Sequence, residues 1–176
     1  MSYSVILPTL NEAGHIVQLV NQISEALLKT NEKFEIIIVD DSSTDKTPEL
    51  CRDLEKKREN TYFYSRTGQK KNLAKSINLG IEKSKFENII WLDADFQHPP
   101  EYIYLFHKYA SKYDLIIFSR FLNESKRYFE DERYKKEINE NQSVLFNKIC
   151  RLFLYKDLSD YTSGFICIKK KIFNNY

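Results

Sequence analysis

The stretch WLDADFQHPPE, Trp91 to Glu101, sets two carboxylates one residue apart, Asp93 and Asp95, then an amide at Gln97 and an imidazole at His98. Carboxylate oxygens in an Asp-x-Asp pair, with an amide oxygen beside them, suit a hard divalent cation such as Mg²⁺ or Mn²⁺. Such a cation takes one or two carboxylates from a protein and fills its other positions with substrate phosphates. Taken alone, the two acids equally suit a helix N-terminus opened by Pro99 and Pro100, where the dipole favours negative charge.

The elements around them decide between the two. SVIL (Ser4–Leu7), EIIIV (Glu35–Val39), TYFYS (Thr61–Ser65), NIIWL (Asn88–Leu92) and DLIIF (Asp114–Phe118) are short, nearly unbroken apolar runs. Helical spacing separates them: Ile16, Leu19, Val20, Ile23 and Leu27 within 12–29, a segment from Thr47 to about Lys57 with Pro48 in its first turn, and Leu73, Ile77 and Ile81 within 72–84. A further helix opens at Pro99 and Pro100, with Ile103 and Phe106 turned inward. This alternation predicts an α/β fold, a mostly parallel sheet covered by helices on both faces.

In such a sheet, ligands bind beyond the carboxyl ends of the strands. Pro8, Thr9, Asn11 and Glu12 follow the first strand, Asp40 and Asp41 the second, Arg66 the third, Asp93, Asp95 and Gln97 the fourth, and Ser119 and Arg120 the fifth. Five polar clusters at one edge predict a ligand site. Arg66 and Arg120 are the expected phosphate donors. Asp40 and Asp41 are the expected acceptors for a base or ribose. With no GxGxxG after the first strand and no GxxxxGK[ST], neither a Rossmann dinucleotide site nor a P-loop is expected. The expectation is a metal-dependent site for a nucleotide diphosphate. A phosphoacceptor receiver domain is disfavoured, because its acidic pair follows the first strand and Asp40-Asp41 follows the second.

The 176 residues fit one domain, and a net charge of +2 gives no polyanion signal, so no nucleic-acid partner is expected. Cys51, Cys150 and Cys167 lie far apart without a CxxC, which suits reduced thiols and a cytoplasmic setting. The N-terminal apolar run is too short for a signal peptide, and no stretch reaches the roughly 18 apolar residues of a membrane span. The expectation is a soluble protein, or one peripheral at the cytoplasmic face of a membrane.

VILPTLNE, IIIVDDSSTDKT, WLDADFQHPPE, FSR and DYTSGF, in this order, resemble family 2 glycosyltransferases of the GT-A fold, a three-layer α/β/α sandwich. The branch most similar is that of polyprenol- or dolichol-phosphate mannosyltransferases, and the likeness runs from Ser4 to about Phe173. DADFQHPPE is its most specific part. The resemblance implies one catalytic domain over 1–176, with 1–120 the nucleotide-sugar half and 121–176 the acceptor half. It implies that Pro8, Asn11 and Glu12 line the nucleotide pocket and that Asp40 and Asp41 meet base and ribose. Asp93 and Asp95 would hold metal and donor diphosphate, Gln97 would complete the metal shell, and Arg120 would contact the donor. Ser163 and Gly164 would shape the acceptor side. The implied reaction moves a hexose with inversion, mannose from GDP-mannose being favoured, to a polyprenyl phosphate. UDP-glucose or another nucleotide sugar is the alternative donor, and a nucleotide-binding remnant without turnover the alternative function. A phosphate acceptor needs little deprotonation; for a hydroxyl acceptor, Asp160 is the candidate base.

This sequence departs from the family pattern in places. Asn72 and Ala74 stand where glycines are usual, and Asn139 stands where an arginine usually precedes the serine that Ser143 resembles, with Arg133 or Lys136 as substitutes. The chain ends soon after SGF, which implies a shortened form. Residues 123–140 carry six acids against five bases, the pattern of a surface segment or lid. From Lys148 onward six bases face two acids, a patch suited to a solvated face or to anionic lipid.

Overall fold

In the computed structural model the apolar runs pair into one sheet. β1 (Ser2–Thr9), β2 (Lys33–Asp40), β3 (Thr61–Ser65), β4 (Asn88–Leu92), β5 (Leu115–Ile117) and β6 (Phe165–Lys169) take the order β3-β2-β1-β4-β6-β5. The structure describes residues 1–120, 146, 147, 150, 154 and 158–175. The segment expected at 123–140, most of the helical pattern at 144–154, the positions 133, 136, 139 and 143, and the charged residues 148, 151, 156 and 157 lie outside them.

β1, β2, β3 and β4 are mutually parallel, as expected of buried apolar runs. Successive residues in each strand face opposite ways, so each strand feeds two cores. Val5, Leu7, Ile36, Ile38, Ile90 and Leu92 pack with α1 (Ile16–Leu28), α2 (Thr47–Lys57) and α4 (Tyr104–Tyr109). Ile6, Ile37, Val39 and Ile89 pack on the other face, with Ile81 of α3 (Leu73–Lys83).

β6 is the exception to the parallel pattern. It inserts between β4 and β5 and runs antiparallel to both, with Leu92 opposite Phe165. Its first residue therefore sits at the carboxyl edge of β4. The turn before it, Asp160 to Gly164, is carried to the acidic pair.

Several boundaries differ from the sequence expectation for tertiary reasons. α1 starts at Ile16 rather than near residue 12, because 11–15 forms a loop tied to the start of α2. Thr47 does not cap α2; its hydroxyl accepts from the Glu12 N–H at 2.8 Å. Asn72 does cap α3, accepting from Lys75 N–H at 2.9 Å. Pro100 opens a 3-10 turn, Pro100–Ile103, before α4 begins. Among the described residues, no helix is long and apolar enough to cross a membrane. The three lysines at the C-terminal end are engaged: Lys169 donates to Asn88 Oδ1, Lys170 to the Ser84 carbonyl, and Lys171 pairs with Asp114 at 2.9 Å.

Candidate functional site

The site is built from loops held in unusual backbone. Asn11, Ser42 and Phe96 have φ of 59°, 66° and 61°, one after each of β1, β2 and β4. Left-handed backbone at a non-glycine costs on the order of 1 kcal/mol or more and persists where surroundings enforce it. The enforcement is visible. Asn11 Oδ1 accepts from Thr44 N–H at 2.8 Å, Asn11 N–H donates to Ser43 Oγ at 2.8 Å, and Ser42 Oγ donates to the Arg66 carbonyl at 2.9 Å. The loops after β1 and β2 are thereby one unit.

A pocket of about 380 Å³ opens at this edge. Pro8, Thr9 and Glu12 line it from β1 and its loop, Asp41 from β2, Lys71, Asn72 and Ser76 from the start of α3, and Asp93 and Asp95 from the end of β4. Burial, and then repulsion from Asp95, push the Asp93 carboxyl up to about 6, while Arg120 opposes the shift and Glu12 adds to it. Gly164 lies directly against Asp93 and accepts its backbone N–H at 3.1 Å. Asp95 Oδ1 accepts from Gln97 N–H at 3.0 Å.

These features fit a divalent cation. Among the described residues no group of three or more His, Cys, Asp or Glu converges to hold one unaided. Two hard carboxylates at a pocket wall, one of them desolvated and repelled by the other, match a cation that draws its remaining ligands from phosphates. Asp93 and Asp95 are the residues that would hold it. Gln97 is half-buried outside the pocket lining, and its backbone N–H donates to Asp95 Oδ1.

Other expected residues have different roles. Arg66 lies outside the pocket lining and is taken up by protein partners. It is 2% exposed, ion-paired with Asp41, and donates to the Asn72 carbonyl at 2.9 Å, Ser76 Oγ at 3.0 Å and the Lys70 carbonyl at 3.2 Å. It braces Asp41 and the approach to α3. Asn11 is an exposed loop tie rather than a pocket wall, and Asp40 is buried below the pocket, accepting from Ser43 N–H at 3.2 Å. Ser163 is buried, donating to the Phe118 carbonyl at 2.7 Å just beyond β5.

Arg120 and Asp160 form a pair. Arg120 Nε and Nη2 donate to Asp160 Oδ2 and Oδ1 at 2.9 and 3.1 Å, and Nη2 also donates to Thr162 Oγ1 at 2.7 Å. Burial alone would raise the Asp160 carboxyl, but hydrogen bonds from Arg120 outweigh it and hold the group below its usual range. Asp160 is therefore a poor general base. Asn147 ties the same turn, accepting from Tyr161 N–H at 2.6 Å.

His98 lies outside the pocket lining. It is 1% exposed, edge-on to Phe118 with ring centroids 6.2 Å apart and tilted on Phe165 at 5.6 Å, and among the described residues neither ring nitrogen has a hydrogen-bond partner. Burial, then the Arg120 charge, push it down to about 4, so it is neutral near pH 7.

Sequence reasoning missed Lys71, Ser76, Thr162 and Asn147. The first two lie in KKNLAKS, read only as a departure from glycine; their pocket position depends on how α3 docks over β1 and β2.

A mostly parallel sheet with an acidic pair at its carboxyl edge, closed by an antiparallel strand, defines the GT-A class of nucleotide-sugar folds. The chain belongs to glycosyl transferase family 2, whose family model matches residues 4–176. It is 30% identical over 173 residues to a dolichol-phosphate mannosyltransferase of Pyrococcus furiosus, covering 98% of this chain and 47% of that protein. It is 32% identical over 114 residues to an undecaprenyl-phosphate 4-deoxy-4-formamido-L-arabinose transferase of Pseudomonas aeruginosa, covering 64% of this chain and 34% of that one. The chain thus spans about half, or less, of the length of these curated relatives. Its fold is similar to that of glucosyl-3-phosphoglycerate synthase from Mycobacterium tuberculosis, solved with Mn²⁺, uridine diphosphate and phosphoglyceric acid, with a TM-score of 0.64 at 16% identity over 97% of this chain and 56% of that one.

Proposed function

We propose that this domain transfers a hexose from a nucleoside diphosphate sugar to a polyprenyl phosphate, with inversion at the anomeric carbon and with Mg²⁺ or Mn²⁺ as cofactor. The observation that carries the reading is the placement of Asp93 and Asp95 at the wall of a pocket that Glu12 and Asp41 also line. One group of carboxylates suits a cation and diphosphate; the other suits a ribose or base. The dolichol phosphate and undecaprenyl phosphate for which the two relatives are named support the acceptor class, and the mannosyltransferase of Pyrococcus furiosus supports mannose as the sugar, with GDP-mannose the favoured donor of this reading.

The chemistry asks little of a base. An acceptor phosphate oxygen attacks the anomeric carbon, the bond from that carbon to the donor's β-phosphate oxygen breaks, and the nucleoside diphosphate leaves with the electron pair. The acceptor is already an anion near neutral pH, so a site in which Arg120 immobilises Asp160 is adequate for it. A bound divalent cation would supply charge stabilisation to the leaving diphosphate. Asp93 and Asp95 orient that charge, Arg120 adds positive field beside Asp93, and the braced Asp41 fixes the nucleoside side of the pocket. A polyprenyl acceptor also puts the domain at a membrane surface, peripheral at the cytoplasmic face.

The test is transfer from GDP-mannose to a short polyprenyl phosphate with Mn²⁺, beside UDP-glucose as competing donor. Mannosyl transfer that Asp95→Ala abolishes without loss of fold is the expected result. Preferred use of UDP-glucose overturns the donor; nucleotide binding with no transfer from either donor overturns the reaction.

A further inference from the structure

The loop that carries the acidic pair and the loop that carries Glu12 meet through one side chain. His15 Nδ1 donates to Glu12 Oε2 at 2.9 Å. The same ring stands edge-on to Phe96, with centroids 5.8 Å apart and planes at 84°. Glu12 lines the pocket, and Phe96 is the residue between Asp95 and Gln97, held in left-handed backbone.

Each contact has a local consequence. His15 precedes α1 and makes no side-chain capping bond to it, so its ring is committed to Glu12 and Phe96. A bulky aromatic at positive φ is a backbone outlier that needs packing to hold it. Phe96 packs against the main core, and the His15 edge meets it from the loop after β1. The turn that Phe96 holds is the one in which Asp95 Oδ1 accepts the Gln97 N–H. One imidazole thereby fixes a carboxylate on the nucleoside side of the pocket and the backbone of the acidic turn.

We infer that His15 is a positioning residue for two parts of the site, holding Glu12 through its hydrogen bond and the Asp93–Asp95 turn through its ring edge on Phe96. The inference rests on the functional reading above. The two contacts, a hydrogen bond and an aromatic edge, are separable, so two substitutions divide them. His15→Phe keeps the ring and removes the bond. His15→Gln keeps a donor for Glu12 and removes the ring.

The experiment uses the full chain and three readouts. They are Mn²⁺ affinity without nucleotide, affinity for GMP or UMP (whichever the wild type binds) in chelator, and hydrogen exchange at the amides of residues 93–97. His15→Phe should weaken the nucleotide by roughly three- to tenfold and leave Mn²⁺ affinity within about twofold. His15→Gln should do the reverse, weakening Mn²⁺ by roughly three- to tenfold and speeding exchange at 93–97. A merely structural role at the start of α1 would shift both affinities together in both variants. That outcome, or no shift in either, overturns the inference while leaving the functional reading standing. A folded wild type that binds neither Mn²⁺ nor nucleotide overturns both.

Discussion

Gly164 and Asp93 pack so closely that no side chain fits between them: a Cβ on Gly164 would overlap the Asp93 carboxylate, meeting Oδ2 first and coming within 2.8 Å of Oδ1. The contact joins the turn before β6 to the first residue after β4, and the backbone bond from Asp93 N–H to the Gly164 carbonyl locks it. Gly164 was expected to shape the acceptor side, yet its absent side chain makes room for the acidic pair.

Gly164→Ala should therefore displace the Asp93 carboxylate. We expect Mn²⁺ affinity to fall by at least about tenfold and stability by about 1–3 kcal/mol, the usual cost of overpacking. Gly14→Ala is the control, because a Cβ there meets nothing within 4 Å. Calorimetric Mn²⁺ titration and urea denaturation of both variants check this. Unchanged Mn²⁺ binding in Gly164→Ala would show that the carboxylate position is irrelevant to the cation.

Arg66→Met separates a structural arginine from a phosphate-binding one. The substitution leaves Asp41 buried without its counter-ion, and breaking a buried pair from one side costs about 3–5 kcal/mol. Denaturant midpoints should fall accordingly. A variant of wild-type stability with weakened diphosphate binding would restore the phosphate role expected from its position after β3.

The five apolar runs and their helices were legible because burial on both faces leaves a continuous hydrophobic signature, and the acids after them were legible because few other reasons exist to place charge at every strand end. The position of β6 was not. FICIK reads as a strand, but nothing in it says that it pairs between β4 and β5 rather than beyond them. Asp93, Asp95, Glu12 and Asp41 were found at the pocket from residue type and placement. Arg66 was misread because an arginine after a strand looks the same whether it faces a ligand or folds back; the Asn72 and Lys70 carbonyls that engage it come from a loop whose path is tertiary. The pairing of Asp160 was not legible for a similar reason, since Arg120 is 40 residues away.

Cys51 and Cys167 both lie in the larger core and test its depth. Burial pushes both thiols up to about 12, aided at Cys51 by the Asp40 charge and opposed at Cys167 by Lys169. The thiolate is the reactive form, so neither should be alkylated by iodoacetamide in the native protein at ~pH 8. Both should react fully in guanidinium chloride. Mass mapping of the labelled residues reads the result, and Cys51 labelling ahead of unfolding would contradict its place under α2.

Asp160 gives a pH dependence with a definite sign. Its carboxyl is held below the unfolded value, chiefly because bonds from Arg120 outweigh burial, so the folded state favours the charged form. The resulting stability is present in full above the unfolded pKa of about 3.9 and is lost as pH falls through the lower folded value. Asp160→Asn removes the charge to which Arg120 Nε and Nη2 donate, so at neutral pH it should cost about 1.5–3 kcal/mol. Below about pH 4 the wild type loses the same interaction, and the gap between the two proteins should narrow. Guanidinium denaturation of both across this range measures the gap. A gap constant down to the lowest pH at which both fold would mean that Asp160 is not held as the anion. It would also reopen Asp160 as a proton acceptor, because a carboxyl that titrates in the usual range can serve as a base and one clamped by Arg120 cannot.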